Sequence, residues 1–255
     1  MKKPTDNTID SNAYAEGALL TTLRRSVWTA KIKATDLDRK IAAENDAAGK
    51  ATKTDKFLVT TDEPLWKAVK SANTAVHDAW KKWASPWWDG GTRMVSSWSF
   101  MEFASRVEEK IEKFNEAVEA FCADYENIVC RQGPRLGKLF NACDYPSKFD
   151  IRRKFGITVD YMPVPTDDDF RCQLADDQME KVRESTRKAV EAAMARAARD
   201  PWERLQKVVQ TVVATLSTPD KIFRDTLVNN IRDLCDTIPA LNIGCDPKLD
   251  EITER

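Results

Sequence analysis

Apolar residues recur between Phe100 and Ile128 at spacings that alternate strictly between four and three. An average spacing of about 3.5 residues keeps one face of an α-helix against a partner helix and is typical of a left-handed supercoil. The segment Ser99–Glu102 fits a capping box, in which two side chains bond the first free amides of a helix. With Gly133-Pro134 as its end, the pattern predicts a helix of about 30 residues, or about 45 Å.

A second helix with the same pattern is predicted just before this one. Thr61–Pro64 combine capping side chains with a proline in the first turn, and Ser85-Pro86 marks the end. Its apolar face also alternates spacings of four and three, through Val69, Asn73, Val76, Trp80 and Trp83. The economical interpretation is a long antiparallel helical hairpin, resembling a coiled coil, over residues 61–132.

The later helix of this hairpin is about twice as long as its partner, so part of its apolar stripe needs another cover. Either the rest of the chain or a second copy of the protein supplies that cover. We expect self-association into a homo-oligomer, with Phe114 and Phe121 as interface residues.

The remaining chain divides around the hairpin into a mainly α fold with a small β element. The N-terminus lacks the apolar run of a signal peptide, and a cytoplasmic protein without a membrane segment is expected. Three C-terminal helices are predicted, with starts at Asp177, Asp200-Pro201 and Thr218-Pro219. The predicted segments, of which 16–255 could form one domain, are a disordered tail at 1–15, a strand and helix segment at 16–60, the hairpin at 61–132, an irregular segment with short strands at 133–174, and the C-terminal helical region at 175–255.

Composition argues against most enzyme classes. The chain has one histidine, His77, and 8 glycines, too few for the usual phosphate-binding loops. Its six cysteines form no C-x-x-C pair, and its net charge is −1. We therefore expect a non-enzymatic protein with no catalytic residues, no cofactor and no metal.

The acidic triplet Asp167–Asp169 is the one candidate for a cation site. Carboxylate oxygens bind Mg²⁺ and Ca²⁺, but the triplet lacks the spacing of a calcium loop. A solvated turn is the simpler interpretation, and a metal-dependent nuclease stays as a weak alternative.

Tryptophan clustering is the most unusual feature of the composition. Five of the eight tryptophans lie within nineteen residues, around the predicted tip of the hairpin: Trp80, Trp83, Trp87, Trp88 and Trp98. These side chains could form core, a protein interface, or stacking platforms for single-stranded bases. In the nucleic-acid alternative, the phosphates would contact Lys81, Lys82, Arg152, Arg153 and Lys154.

Several short segments together resemble a known family. They are Ser26–Thr29, Pro163–Pro165, Asp169–Arg171, Asp200–Leu205, Phe223–Asp225, Asn229-Asn230, Leu241-Asn242 and Asp246-Pro247. This order is similar to an uncharacterised domain-of-unknown-function family of tailed phages and prophages, most clearly over residues 145–250. Genes of that family often lie near a MoxR-type AAA+ ATPase and a von Willebrand factor A-like protein. The resemblance implies an adaptor role in the host cell and supplies no active-site residues.

These observations together predict a phage-encoded scaffold or adaptor protein that acts through protein–protein contacts. Its expected partners are a second copy of itself and an AAA+ ATPase or another phage or host protein. The alternative is a single-stranded nucleic-acid-binding protein or recombination accessory factor.

Overall fold

A computed structural model describes residues 17–47, 51–87, 90–166, 176–217 and 225–253. The chain divides into two compact units. Unit 1 comprises the chain up to Arg24, His77–Val107 and the chain from Val159 onward, and unit 2 comprises Arg25–Val76 and Glu108–Thr158. The predicted tail, Trp88 and Asp167–Asp169 lie outside the described residues.

The fold is mainly helical with a small antiparallel sheet, which confirms the predicted class. The first half of the chain forms β1 (Ala18–Ser26), β2 (Lys31–Lys33), α1 (Thr35–Glu44), β3 (Asp55–Phe57), α2 (Pro64–Lys82), β4 (Ser85–Pro86) and β5 (Thr92–Ser96). The second half forms α3 (Phe100–Ala123), α4 (Tyr125–Leu136), α5 (Lys148–Ile151), β6 (Gly156–Pro163), α6 (Asp176–Leu216), α7 (Asp225–Leu241) and α8 (Pro247–Thr253). No helix among the described residues is long and apolar enough to cross a bilayer.

Four strands form the larger sheet in the order β4-β5-β1-β6, and β2 and β3 form a separate pair in unit 2. In the antiparallel register, Met94 of β5 lies between Leu20 of β1 and Ser85 of β4. The sequence predicts only a turn over residues 86–97, and this is wrong. Gly90 adopts a positive φ of 73°, which glycine tolerates, and the buried residues of β5 then return alongside β1.

The core of unit 1 lies between the sheet and α6. Val190, Ala193, Met194 and Ala197 recur at helical spacing and bury one face of α6. Against them lie buried side chains from the strands and the β4–β5 connection, among which Trp87 is fully buried. A tryptophan that is completely covered serves here as core.

Two arginines of unit 1 bind the carbonyl oxygens at the end of α2. The last carbonyls of a helix have no partner within it, so burial requires donors from elsewhere. Arg93 of β5 donates from Nε and Nη2 to the carbonyl oxygen of Ala84, at 2.9 and 2.7 Å. Arg204 of α6 donates to the carbonyl oxygens of Lys82 at 2.6 Å, Lys81 at 3.1 Å and Ala84 at 3.1 Å. We call this arrangement the arginine clamp.

The arginine clamp places two cations close together in a protected environment. Burial, followed by the charge of Arg204, lowers the pKa of Arg93 from 12.5 to about 10. Asp200 of α6 lies 2.8 Å from Arg204 and offsets part of this repulsion. Arg93 also lies over the Trp80 ring, 5.7 Å from its centroid.

Five aromatic rings form the core of unit 2. Trp66 and Phe121 lie 5.5 Å apart at their centroids, and Tyr125 and Phe155 lie 5.7 and 5.9 Å from Phe121. Trp28 packs at the edge of this group, 5.9 Å from Trp66. Offset and edge contacts of this kind stabilise aromatic pairs beyond the area that they bury. We call these five side chains the aromatic cluster.

Two predicted helix boundaries are wrong because tertiary contacts outweigh a local helix breaker. Pro134 lies inside α4, whose last turn is held by Arg135, a donor to the carbonyl oxygen of Phe57 at 2.6 Å. Pro201 likewise lies inside α6, so the predicted restart at Asp200-Pro201 does not interrupt this helix of 41 residues. The carboxylate of Asp200 pairs with Arg204 instead of beginning a new helix.

Replacing Arg204 with methionine should lower the free energy of unfolding by about 3 kcal/mol, because three carbonyl oxygens lose a donor and the largely buried Asp200 carboxylate loses its cation. Urea unfolding measures this change. Arg199→Met is the matched control, since the exposed side chain of Arg199 donates to the carbonyl oxygen of Ala195 within its own helix. The control should change stability by less than about 0.5 kcal/mol. Equal effects of the two substitutions would contradict the clamp.

Phe121→Ala should lower the free energy of unfolding by about 3–5 kcal/mol, because it opens a cavity inside the aromatic cluster. Phe149→Ala, on a ring that is 87% exposed in the same unit, should leave stability unchanged within about 0.5 kcal/mol. Chemical denaturation of both variants tests the pair. A mild effect at Phe121 would mean that the cluster does not hold unit 2 together.

Candidate functional site

Most of the tryptophans that the sequence singled out lie in the interior of unit 1. Trp80, Trp83 and Trp87 are buried, whereas Trp98 is 53% exposed. Trp80 donates from Nε1 to Thr21 Oγ1 at 3.3 Å. Of the alternatives that the sequence left open, core is the one that matches the burial of these three rings.

The two phenylalanines proposed as interface residues are also covered. Phe114 and Phe121 have no exposed surface in a single chain. The rings of Trp28, Trp66, Tyr125 and Phe155 surround Phe121 directly. The long apolar stripe of α3 therefore finds its cover at these positions within one copy of the protein.

The basic residues of the nucleic-acid alternative divide between the two units. Lys82 of unit 1 pairs with Asp233 at 3.1 Å, and Lys81 is exposed. In unit 2, Arg152 pairs with Glu119 at 2.6 Å. Arg153 and Lys154 are exposed and have no ion-pair partner in the described part of the chain.

An exposed apolar stripe occupies the last turns of α6. Val209, Val213 and Leu216 are 52%, 57% and 67% exposed, at spacings of four and three that place them on one helical face. The segment 208–217 contains no charged residue. A solvated helix face normally carries charges, so a contiguous apolar surface indicates a binding role. We call these three side chains the α6 stripe.

A groove of about 370 Å³ lies between α6 and α7 in unit 1, and a different face of α6 from the stripe lines it. Val208 of α6 and Leu227 and Leu234 of α7 provide its apolar lining. Lys207 stands at its rim and has no ion-pair partner among the described residues. We call this feature the α6–α7 groove.

The sequence also contained a signal for the α6 stripe. Apolar positions from Leu205 to Leu216 predict an apolar face on this helix. The absence of any charged residue over 208–217 is the feature that distinguishes an unusually apolar helix end from an ordinary amphipathic one.

A separate cavity of about 560 Å³ lies in unit 2. Half-buried Trp28 and buried Tyr145 line it together with Arg153 and Lys154 from the turn after α5. Asp144, Asp150, Cys143 and Pro146 complete the lining. We call it the Trp28 cavity, and the sequence predicted its two cations but not its aromatic residues.

Hydrogen bonds hold the wall of the Trp28 cavity in place. Tyr145 donates its hydroxyl to the carbonyl oxygen of Leu58 at 2.8 Å, and Tyr125 donates to the carbonyl oxygen of Pro146 at 3.0 Å. Asp144 forms an ion pair with Lys56. Burial raises the pKa of both Tyr125 and Tyr145, because the charged phenolate would lose its solvation.

Metal-ligand clusters of three or more histidine, cysteine or acidic residues are not found in the described ranges. His77 stacks against Trp80 with ring centroids 6.0 Å apart, and its Nδ1 lies 3.9 Å from Asp78. What the described surfaces provide is non-covalent binding: an apolar stripe and groove in unit 1, and an aromatic, cationic cavity in unit 2.

Comparison with known proteins gives no match to a family model, to a curated protein or to a solved structure. The resemblance to a phage family consequently stays a prediction.

Stability should fall as the pH rises above about 10, because the unfolded chain releases the protons of Tyr125 and Tyr145 there while the folded protein retains them. Each of the two groups contributes at most about 1.4 kcal/mol per pH unit. Urea unfolding between about pH 8 and about pH 11.5, on both sides of the ordinary tyrosine pKa of about 10, measures how steeply stability falls with pH. The double variant Tyr125→Phe, Tyr145→Phe should show a flatter curve, and parallel curves would refute the assignment.

Proposed function

We propose that the protein is a non-enzymatic adaptor that binds an amphipathic helix of a protein partner in the α6–α7 groove. The observation that carries this proposal is the groove itself, which has an apolar lining and a lysine at its rim. Binding of an amphipathic helix in an apolar groove is a common mode of peptide recognition, in which the helix inserts its apolar face.

The apolar lining of the groove decides what kind of occupant suits it. Burying a valine or leucine side chain completely contributes roughly 1.5–3 kcal/mol. The three apolar side chains of the lining are already partly covered and therefore offer at most about 3–5 kcal/mol, whereas micromolar binding requires about 8 kcal/mol. A partner has to contact the charged rim as well, which favours a helix inserted along the groove over a flat contact.

Charge around the groove favours an acidic partner. Lys82, Arg204 and Lys207 line the groove, while Asp233 and Asp200 are the carboxylates paired with the first two. Lys207 therefore keeps an uncompensated positive charge at the rim. Acidic residues beside the apolar face of the partner helix would complement it and speed association.

A second copy of the chain is the competing occupant, as the predicted homo-oligomer requires. Two copies of the same rim would bring like charges together, which disfavours pairing groove to groove. The predicted coiled-coil pairing of α2 with α3 and the phage origin stay part of this proposal, with the partner being an AAA+ ATPase or another phage or host protein in the host cytoplasm.

A fluorescent designed helix of about 16 residues, with leucines on one face and glutamates beside them, should bind with a micromolar Kd. Val208→Glu should weaken this binding about tenfold or more, because it places a charge in the apolar lining of the groove. Fluorescence anisotropy measures the affinity. The matched control Gln210→Glu adds the same charge to the same helix at an exposed position outside the groove lining and should bind normally.

Two further outcomes separate the alternatives. A peptide in which lysines replace the glutamates should bind several-fold more weakly, because Lys207 then repels it. Light scattering with size-exclusion chromatography should give a monomer mass at about 10 µM, a concentration at which a stable dimer would persist. A dimer that Val213→Glu dissociates would assign the stripe to self-association, and equal binding of both peptides to both variants would overturn the proposal.

A further inference from the structure

We infer that the Trp28 cavity of unit 2 is a second binding site, for a nucleobase that carries a phosphate, as in single-stranded nucleic acid. This function is independent of the helix-binding surface in unit 1, because it uses different residues in a different unit. The inference rests on an aromatic side chain that lines the cavity, on two cations without an ion-pair partner among the described residues, and on carboxylates that can accept hydrogen bonds from the edge of a base.

Trp28, which lines the cavity, is an aromatic side chain held in place by its neighbours. Trp28 is half-buried, and three rings of the aromatic cluster surround it: Trp66, Phe121 and Tyr125, with centroids 5.9, 6.3 and 6.1 Å away. Because these contacts fix its orientation, Trp28 offers a stacking surface without a large loss of side-chain entropy on binding. Bases of any sequence stack on such a surface, since every base has a π-face.

The cations at the rim differ from their neighbours in having no internal partner. Lys148 and Arg152 form ion pairs with Glu126 at 2.8 Å and Glu119 at 2.6 Å. Arg153 and Lys154, which line the cavity, have no carboxylate within ion-pair distance among the described residues. Their positive charges are therefore available to a phosphate.

The carboxylates in the lining select a base over other phosphorylated aromatic groups. Asp144 is paired with Lys56, and Asp150 accepts a hydrogen bond from the Ser147 hydroxyl at 2.6 Å. Carboxylate oxygens accept hydrogen bonds from the exocyclic amino group of cytosine. A phosphorylated tyrosine has no hydrogen-bond donor on its ring edge, so these carboxylates would lie against ring carbons without a hydrogen bond.

The volume and surroundings suit one nucleotide of a longer strand. A cavity of about 560 Å³ is within the range of small-ligand sites and accommodates a nucleotide. Phe149, which is 87% exposed, lies one helical turn before Arg153 and offers a second ring outside the cavity. Alternation of exposed aromatic and basic side chains is typical of surfaces that follow a single strand.

The first test is the salt dependence of binding to a fluorescein-labelled oligodeoxycytidine of about 12 nucleotides. The double variant Arg153→Gln, Lys154→Gln should bind about tenfold more weakly at roughly 50 mM salt, and its plot of log K against log salt should be shallower by about 1.4. The matched control Lys148→Gln removes a cation of the same segment that already has a partner and does not line the cavity, and it should retain the wild-type slope.

The second test locates the strand by protection of a thiol. Cys143 is exposed and lines the cavity, whereas the exposed Cys245 lies in unit 1. The oligonucleotide should slow alkylation of Cys143 several-fold and leave Cys245 unchanged, as measured by mass spectrometry. Trp28→Leu, with its fold checked by thermal melting, should weaken binding at least about fivefold without changing the salt slope, because stacking involves no counterion release.

Two results would overturn the inference. One is the absence of binding up to about 100 µM oligonucleotide at low salt, where phosphate contacts are strongest, together with the absence of Cys143 protection by cytidine monophosphate. The other is binding that Arg153→Gln, Lys154→Gln leaves unchanged and that fails to protect Cys143. Protection of Cys143 by cytidine monophosphate without oligonucleotide binding would support the same chemistry and assign the site to a free nucleotide.

Discussion

Unit 1 depends on how the buried end of α2 satisfies its carbonyl oxygens. The last carbonyl oxygens of a helix require donors from outside it where they are buried, and Arg93 and Arg204 supply them from β5 and α6. The arginine clamp thereby joins a strand, the end of one helix and the middle of another. Arg204 also lines the α6–α7 groove, so one side chain serves both the packing of α6 and the surface that we assign to partner binding.

Unit 2 is organised by rings instead of by charges. Trp28 takes part in the aromatic cluster and also lines the cavity, so the core of the unit positions the candidate stacking surface. The surface cations near the cavity fall into two groups, one with ion-pair partners and one without. Those that face Glu119 and Glu126 hold α5 in place, and Arg153 and Lys154 remain for a ligand. In each unit a candidate site is therefore built on residues that also stabilise the fold.

The sequence predicted where helices and strands form more accurately than it predicted where helices end and which side chains are buried. The starts of α2 and α3 were predicted from their capping residues, and strands were expected within the segments that contain β1 and β6. The helix ends failed at Pro134 and Pro201, because contacts made by Arg135 and Arg204 come from residues that are distant in sequence. The tryptophans were identified as unusual, but nothing local distinguishes a buried ring such as Trp87 from the exposed ring of Trp98.

By itself, the sequence determined the mainly helical class, the apolar faces and the scarcity of groups for acid–base or metal chemistry, because periodicity and composition are local properties. Only the tertiary structure decided which faces are covered. It buried the stripe of α3 at Phe114 and Phe121, and it left Val209, Val213 and Leu216 exposed although both stripes are equally apolar in pattern. Burial depends on what packs opposite a face, and that is a property of contacts between distant parts of the chain.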